Sequence, residues 1–379
     1  MPWSSGDSLN SANLNNMGGA VYSVAGYGAT GDGTTDDANS IRKTIAAAAT
    51  LGGTVYFPSP TSDYRIASTL TVTSRSGLCF RGTGERNSII RSSSTTADML
   101  VVADCNHMVF SDLRFVGGGG SAGSQRGIVV GESGNTGVTN FNYTFTNVRV
   151  TSCNSDGMVL AKPEMTTVRH CQLSNNSGKG LYCHDSGEAK GINLIVENTR
   201  CSSNSGDNQV HVNNIADVRF NGVQALTGTP GTSNARIQNM NGFVDTGSDY
   251  EFGGAGLQLS GNGFAVFGSL FGSVVTGLYV TGAQQGCVAA IRGISTTSRL
   301  LDIGSTSSVA ILGELNDNSA LSPSINASAD VIWPVATPPT AGAALGYQGQ
   351  IAWAEGSGAT YLYVCTSTNS WTRAALEPF

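Results

Sequence analysis

Charged side chains are scarce in this sequence of 379 residues. Asp, Glu, Lys and Arg together make up 12% of the chain, about half of their share in a typical globular protein. The formal net charge at pH 7 is −6. A protein that binds nucleic acid needs a basic surface, so this composition argues against nucleic acid as a partner.

Long apolar runs are missing as well. No run approaches the ~20 residues that span a bilayer, so we expect no membrane insertion. The N-terminal residues Met1 to Asp7 have neither the basic region nor the apolar region of a signal peptide. We therefore expect the protein to stay in the cytoplasm where it is made, or to leave it by lysis or as part of a particle.

The cysteines show no pairing that would bind a metal. The chain has 8 cysteines without a Cys-x-x-Cys motif, and we expect neither a metal site nor a cofactor. Cys153, Cys171, Cys183 and Cys201 fall in or beside apolar strand positions, where a reduced thiol packs as a small apolar group. Disulfides between neighbouring coils, or a metal site, are the alternatives.

A short motif recurs between Phe145 and Met240. Its openings lie roughly 20 to 26 residues apart and are Phe145-Thr-Asn-Val-Arg-Val, Met165-Thr-Thr-Val-Arg-His, Gly191-Ile-Asn-Leu-Ile-Val and Ile215-Ala-Asp-Val-Arg-Phe. Turns rich in Asn, Gly and Ser separate these strands from further short apolar strands. The pattern predicts parallel coils stacked about 4.8 Å apart, with Val148 and Val150 inside and Arg149 outside.

The N-terminal part has a different pattern. Tyr27-Gly-Ala-Thr-Gly-Asp-Gly-Thr-Thr-Asp-Asp37 precedes an amphipathic segment at about 36–50, which ends at Gly52-Gly53. Thr35 or Asp36 is a suitable N-cap for this predicted helix. A short helix here would cover the open end of a stack of coils, where apolar core and strand edges are otherwise exposed.

These residues, with Gly53-Thr-Val-Tyr-Phe-Pro58 and the following Tyr64-Arg-Ile and Leu70-Thr-Val, resemble the N-terminal signature of the pectate-lyase-like superfamily. The resemblance implies an all-β fold, a right-handed single-stranded parallel β-helix over residues 27–333. The superfamily includes lyases, hydrolases, epimerases and bacteriophage tailspike depolymerases. The signature specifies the fold but not the chemistry.

The two ends resemble phage tail proteins. Trp3-Ser-Ser-Gly-Asp-Ser-Leu-Asn is similar to their openings, and Tyr361-Leu-Tyr-Val-Cys-Thr-Ser to the small β modules that close fibres and spikes. The resemblance implies a virion protein whose residues 1–26 dock on a tail or baseplate protein. A linker at 334–342 and a β module at 343–379 would follow the β-helix. The coils after Met240 carry few charges, so we expect their outer faces to be buried in a homotrimer.

Two regions contain candidate catalytic residues. Asp156 lies in an Asn-Ser-Asp-Gly turn that resembles the Asn-x-Asp-Gly of polygalacturonase-like hydrolases, although the partner motifs of that family are missing; the alternative is an ordinary β-helix turn. The longest departure from the repeat, Cys183 to Gly191, contains His184, Asp185, Glu188 and Lys190. Two carboxylates at a glycosidic bond can serve as acid and base or as acid and nucleophile, whereas a lyase needs a base beside a uronate. A solvated turn is again the alternative.

Arginines and tyrosines are the candidate binding residues. We predict that Arg114, Arg149, Arg169 and Arg219 share one outward strand position, where Arg149, Arg169 and Arg219 are the candidates for binding an acidic glycan; salt bridges within or between protomers are the alternative. Tyr182 and Tyr250 are candidates for stacking on sugar rings, although a tyrosine on a strand more often packs in the core.

The sequence thus predicts a phage tail protein that binds a polysaccharide of the host cell surface. We expect it to cleave this polymer by glycoside hydrolysis with paired carboxylates. Two alternatives stay open: a receptor-binding or structural spike without enzymatic activity, and a polysaccharide lyase that uses His184 or Lys190 as its base.

Overall fold

A computed structural model describes residues 20–376 of the chain, with gaps at 51, 121, 133–140, 186–190, 227–232, 282–283, 297, 304–306, 313–315, 318–323, 326–329, 336–349, 357–358 and 368–369. The chain divides into two compact units, Met1–Gly206 and Asp207–Phe379. None of the described helices is long and apolar enough to cross a membrane.

The described residues of unit 1 form short strands and one α-helix, α1 (Ala38–Ala49). A 3-10 turn, Ala25–Tyr27, precedes the helix. The strands are β1 (Val21–Ser23), β2 (Thr54–Tyr56), β3 (Tyr64–Ile66), β4 (Leu70–Thr73), β5 (Cys79–Arg81), β6 (Ile89–Ser92), β7 (Leu100–Ala103), β8 (Met108–Val116), β9 (Ile128–Val130), β10 (Tyr143–Thr151), β11 (Met158–Ala161), β12 (Thr166–Arg169), β13 (Gln172–Ser174), β14 (Leu181–His184), β15 (Gly191–Glu197) and β16 (Arg200–Ser202).

These strands form three parallel sheets. Sheet I contains β1, β2, β5, the first halves of β8 and β10, β12 and β15. Sheet II contains β3, β6, the second halves of β8 and β10, β13 and β16. Sheet III contains β4, β7, β9, β11 and β14. Each strand pairs with the equivalent strand of the next coil, as the repeat predicts.

Unit 2 also contains parallel strands, and its last strands form an antiparallel sheet. Its strands are β17 (Asn208–Asn213), β18 (Ile215–Asn221), β19 (Gln224–Leu226), β20 (Ser233–Thr246), β21 (Asp249–Phe267), β22 (Leu270–Thr281), β23 (Gln284–Ala289), β24 (Arg292–Ile294), β25 (Arg299–Ile303), β26 (Ser307–Leu312), β27 (Asn316–Asp317), β28 (Ser324–Ile325), β29 (Asp330–Val335), β30 (Gln350–Gly356), β31 (Ala359–Ser367) and β32 (Ser370–Leu376). Strands β30, β31 and β32 pair antiparallel. The prediction of an all-β parallel β-helix with a capping helix and a small C-terminal β module is confirmed.

The core of unit 1 is a set of side-chain columns that run from coil to coil. Phe80, Phe110 and Phe145 are in register, and both successive pairs of rings stack with centroids 4.9 Å apart. Val148 and Val150 are buried, as the alternation predicts. Offset aromatic stacking adds to the hydrophobic stabilisation of such a column.

The predicted core cysteines are in this interior. Cys153, Cys171, Cys183 and Cys201 are buried, free thiols. Burial raises the pKa of the Cys153 and Cys171 thiols to about 12, because the apolar interior disfavours a thiolate. They act as small apolar side chains and are not reactive at neutral pH.

The acidic residues before α1 fix the turn that leads into the helix. The N-cap position is Asp37, whose side chain makes no capping bond to the helix; it lies one residue after the predicted Asp36 and two after Thr35. The Asp37 carboxylate accepts hydrogen bonds from the backbone N–H groups of Thr30 (2.7 Å) and Gly31 (3.0 Å). Asp36 accepts one from the Ala38 N–H, at 3.1 Å, and so caps the helix with its side chain.

The buried asparagines of the turns between sheets II and III also form a column. The side-chain oxygen of Asn204 accepts hydrogen bonds from the backbone N–H of Asn176 at 3.0 Å and from its side-chain amide at 2.9 Å. Asn176 in turn accepts from the Cys153 N–H at 3.0 Å. Turn asparagines are therefore part of the structure of the solenoid, since they satisfy backbone groups that the turn leaves unpaired.

Candidate active site

The outer face of sheet III brings together two of the predicted site residues. Leu181 and Cys183 of β14 point into the core, so Tyr182 and His184 point outward. Their rings stack with centroids 4.7 Å apart. The Lys179 ammonium lies 5.2 Å from the centroid of the Tyr182 ring, a cation–π distance.

Glu132 lies next to Tyr182 and His184, although it belongs to a coil two strands away in sheet III. It follows β9 after Gly131, whose φ of 83° turns the chain out of the strand. Its Oε1 lies 3.2 Å from His184 Nε2, and its Oε2 forms an ion pair with Arg126. The register places Ala161 between β9 and His184, and this small side chain leaves room for the contact.

Arg126 connects Glu132 to a second carboxylate. It donates two hydrogen bonds to Asp98 from one edge of the guanidinium, with Nη2 2.8 Å from Oδ2 and Nε 3.2 Å from Oδ1. Two-point binding of this kind fixes both groups in one geometry. Asp98, Arg126, Glu132 and His184 are partly accessible, with side-chain exposures between 17% and 27%. We call these four residues the Glu132 network.

The electrostatics of the network keep Glu132 ionised. The hydrogen bond from His184 and the ion pair with Arg126 outweigh desolvation and lower the pKa of the Glu132 carboxyl to about 2. The bonds to Asp98 and Glu132 raise the pKa of Arg126. At neutral pH Glu132 is therefore a carboxylate, which can accept a proton or attack an electrophilic carbon but cannot donate a proton.

The surface beneath the network is apolar. Val159 pairs with Tyr182 and with Val129, and both valines are 1% exposed. An aromatic ring beside ionised groups over an apolar floor combines the two kinds of contact that a sugar ring uses, stacking on its carbon face and hydrogen bonds at its rim.

The sequence matches a family model over residues 21–247, more than half of its length, and the description of that family is rhamnogalacturonase A/epimerase, pectate lyase-like. The chain belongs to this pectate-lyase-like family. Comparison with curated protein sequences finds no relative.

Solved structures with the same fold include phage and polysaccharide-modifying proteins. ORF18 of Geobacillus virus E2 has a TM-score of 0.66 and 14% identity, over 94% of this chain and 76% of its own. The A-module of the mannuronan C-5 epimerase AlgE4 of Azotobacter vinelandii has a TM-score of 0.58 and 16% identity, over 82% and 99%. Tailspike protein 2 of the Escherichia coli O157:H7 bacteriophage CAB120 has a TM-score of 0.55 and 13% identity, over 82% and 42%. At these identities the likeness establishes the fold.

Within this pectate-lyase-like fold, the other predicted catalytic residues lie in different surroundings. Asp185 follows β14 directly and is 8% exposed. Glu188 and Lys190 lie outside the described residues. Asp156 accepts a hydrogen bond from the backbone N–H of Lys179 at 2.6 Å, so its carboxylate supports the turn of the next coil. A catalytic role for Asp156 stays a prediction.

The predicted arginine column is confirmed for Arg114 and Arg149, which pair in register, but the inclusion of Arg169 was wrong. Arg149 pairs with Arg114 on one side and Gln172 on the other, in sheet II. Arg169 pairs with Thr146 in sheet I and donates a hydrogen bond to its hydroxyl at 3.0 Å. The reason is a corner within β10 that the motif does not reveal. Asn147 has a φ of 54°, which sends the two halves of the strand into different sheets.

The remaining candidate binding residues, Arg219 and Tyr250, are in unit 2. Arg219 pairs with Val244, which is an outward position. Tyr250 is 0% exposed, its ring stacks on Phe271 with centroids 5.4 Å apart, and its hydroxyl donates to Asp245 Oδ2 at 3.1 Å. Stacking of Tyr250 on a sugar is therefore excluded, because the side chain points into the core.

Sequence reasoning missed Asp98, Arg126 and Glu132. The available signal was weak: Arg126 and Glu132 carry opposite charges at the two ends of the short apolar run Gly127 to Gly131. Their connection to His184 depends on the pairing of β9, β11 and β14, and Glu132 and His184 are 52 residues apart in the sequence.

Proposed function

We propose that this chain is a phage tailspike-type protein that binds a host surface polysaccharide on the outer face of sheet III and cleaves it by glycoside hydrolysis. The observation that carries the proposal is the Glu132 network beside Tyr182. It places an ionised carboxylate, a histidine and an aromatic ring on one accessible face. The family description and the phage tailspikes among proteins of this fold support the same class of ligand.

Glu132 serves in this proposal as the base or the nucleophile. As a base, it takes a proton from the water that attacks the anomeric carbon, while a protonated carboxyl gives its proton to the leaving glycosidic oxygen. As a nucleophile, it attacks the anomeric carbon itself. Asp185 and Glu188, which the sequence places next to His184, are the proposed acids. Tyr182 stacks on a sugar ring at a neighbouring position.

A lyase is the second candidate, and the contact between His184 and Glu132 favours it. A carboxylate bonded to one ring nitrogen orients an imidazole and leaves the other ring nitrogen available as a base. His184 would then remove the proton next to the uronate carboxylate, and the leaving oxygen would depart as the double bond forms. Lys190 is the alternative base from the sequence.

A binding protein without activity is the third candidate. Arg126 already has two carboxylate partners, Asp98 and Glu132. A fully paired network of this kind also occurs where ions only hold neighbouring coils together. In that case Tyr182 would stack on the polysaccharide, and no bond would be cleaved.

The proposed protein is a homotrimer whose N-terminal residues 1–26 attach it to the phage tail. Unit 2 supports burial against other protomers, because large apolar side chains are exposed on its surface. They are Val244, Phe252, Phe267 and Val275, each 37% exposed or more. A contiguous apolar patch marks an interface, and these four side chains are the proposed part of such a patch.

The test is incubation of the full chain with a panel of purified bacterial capsules and lipopolysaccharides. A hydrolase gives shorter polymers with new reducing ends and no new ultraviolet absorbance. A lyase gives the absorbance of an unsaturated uronate. Glu132→Gln should abolish cleavage, and Glu197→Gln, on the outer face of sheet I, is the matched control. Binding without shortened polymers would refute the enzymatic proposal.

A further inference from the structure

The outer face of sheet II carries a concentration of positive charge. Arg149 on β10 pairs in register with Arg114 on β8, so the two side chains leave strands about 4.8 Å apart. Arg91 extends from β6, which pairs with the same half of β8. Arg86 lies in the turn that precedes β6. Four guanidinium groups thus lie on adjacent strands and turns of one face.

Carboxylates balance only part of this charge. Arg91 has its own partner, because its Nε lies 2.5 Å from Asp63 Oδ2. Glu85 is shared: Arg149 Nη1 is 3.7 Å from its Oε2, and Arg86 Nε is 3.6 Å from its Oε1. The cluster therefore retains an excess of positive charge, and the excess is centred on the in-register arginine pair.

The hydrogen bonds of the pair are also incomplete. The Nε atoms of Arg114 and Arg149 are buried and have no hydrogen-bond partner among the described residues. Glu85 Oε2 is also buried without a hydrogen-bond partner among the described residues, and at 3.7 Å from Arg149 Nη1 it is too far to accept a hydrogen bond. Desolvation, followed by the charge of Arg149, lowers the pKa of Arg114. A buried N–H group without an acceptor is costly, and so are like charges on neighbouring strands.

We propose that Arg114 and Arg149 form a binding site for an oxyanion, a carboxylate or phosphate group carried by the host polysaccharide. An oxyanion between them would accept hydrogen bonds from both guanidinium groups and neutralise their repulsion. The site lies on sheet II, apart from the Glu132 network on sheet III. Its role in holding the polymer rests on the proposed function, whereas its affinity for a free oxyanion does not.

Calorimetric titration tests the site with three probes: inorganic phosphate, an oligogalacturonate and neutral dextran. The unaltered protein should bind the two anions and not dextran, and affinity should fall as salt is added. Arg149→Gln should weaken anion binding by about tenfold or more. Arg149→Lys, which keeps the charge but loses the fork of donors, should give an intermediate affinity. Arg81→Gln, which changes an exposed arginine on sheet I, should bind as the unaltered protein does.

The outcomes separate this inference from the proposed function. Equal anion binding by the unaltered protein and Arg149→Gln, or no binding at all, overturns the oxyanion site even if host polysaccharide is cleaved normally. Anion binding that depends on Arg149 while no host polysaccharide binds supports the site and contradicts its role with the polymer. If Arg149→Gln does not fold, as judged by circular dichroism, Arg149→Lys and Arg114→Lys decide the result.

Discussion

The Glu132 network makes a specific prediction about stability and pH. Glu132→Gln removes the negative charge but keeps nearly the same shape. The pKa of Glu132 is lowered from 4.5 to about 2, and a difference of this size corresponds to about 3 kcal/mol at most. Because the side chain is 27% exposed, solvent screening reduces the expected contribution to about 1–2 kcal/mol.

The sign follows from the direction of the shift. A carboxyl whose folded-state pKa is lowered stabilises the fold fully above its unfolded-state pKa, and this contribution is lost as the pH falls through the folded-state value. The unaltered protein should therefore be more stable than Glu132→Gln by about 1–2 kcal/mol at pH 7. The difference should shrink as the pH falls below about 4.5 and approach zero near pH 2.

Denaturant titrations of both proteins at pH 7, 4.5 and 3 measure this difference. Glu197→Gln, which replaces a carboxylate on the outer face of sheet I, is the control and should change stability by less than about 0.5 kcal/mol. A difference for Glu132→Gln that is the same at all three pH values would show that the ion pairs of Glu132 are not its cause. A difference near zero at pH 7 would show that the network contributes no stability.

Three further predictions concern other parts of the chain. Burial raises the pKa of Asp245 to about 6, so the stability of the unaltered protein should fall as the pH rises from about 4 to 6. Melting temperatures should show that Asp245→Asn removes this fall. Parallel pH profiles for the two proteins would contradict the prediction. Asn204→Ala removes the acceptor of the Asn176 backbone N–H and one of the two acceptors of its side-chain amide. It should cost about 2–4 kcal/mol in denaturant titrations, whereas a cost below about 1 kcal/mol would contradict a structural role. Phe267→Asp should convert the proposed trimer to monomers in sedimentation experiments, and unchanged sedimentation would exclude this residue from the interface.

The fold could be predicted because its determinants are local. Alternation placed Val148 and Val150 inside the core, and both are buried. The turns require residues that tolerate positive φ, and Asn175 and Ser203 have φ values of 58° and 55°. Each coil repeats the same local rules, so a pattern in the sequence is enough to identify the stack.

The candidate site depends on information that local patterns lack. Because the chain turns a corner at Asn147, Arg149 and Arg169 lie on different sheets, and no residue of the motif predicts this corner. The contact between Glu132 and His184 requires the register of three strands. A slip of one residue would turn His184 inward, so a site built across coils cannot be derived from spacing along the chain.

The proposed active site on the outer face of sheet III is tested most directly by the length of a host surface polysaccharide after incubation with the unaltered protein, Glu132→Gln and Glu197→Gln. We expect shortened chains with new reducing ends for the unaltered protein and for Glu197→Gln. For Glu132→Gln we expect a rate of cleavage at least about 100-fold lower. Full activity of a correctly folded Glu132→Gln would contradict the assignment of the active site to the outer face of sheet III.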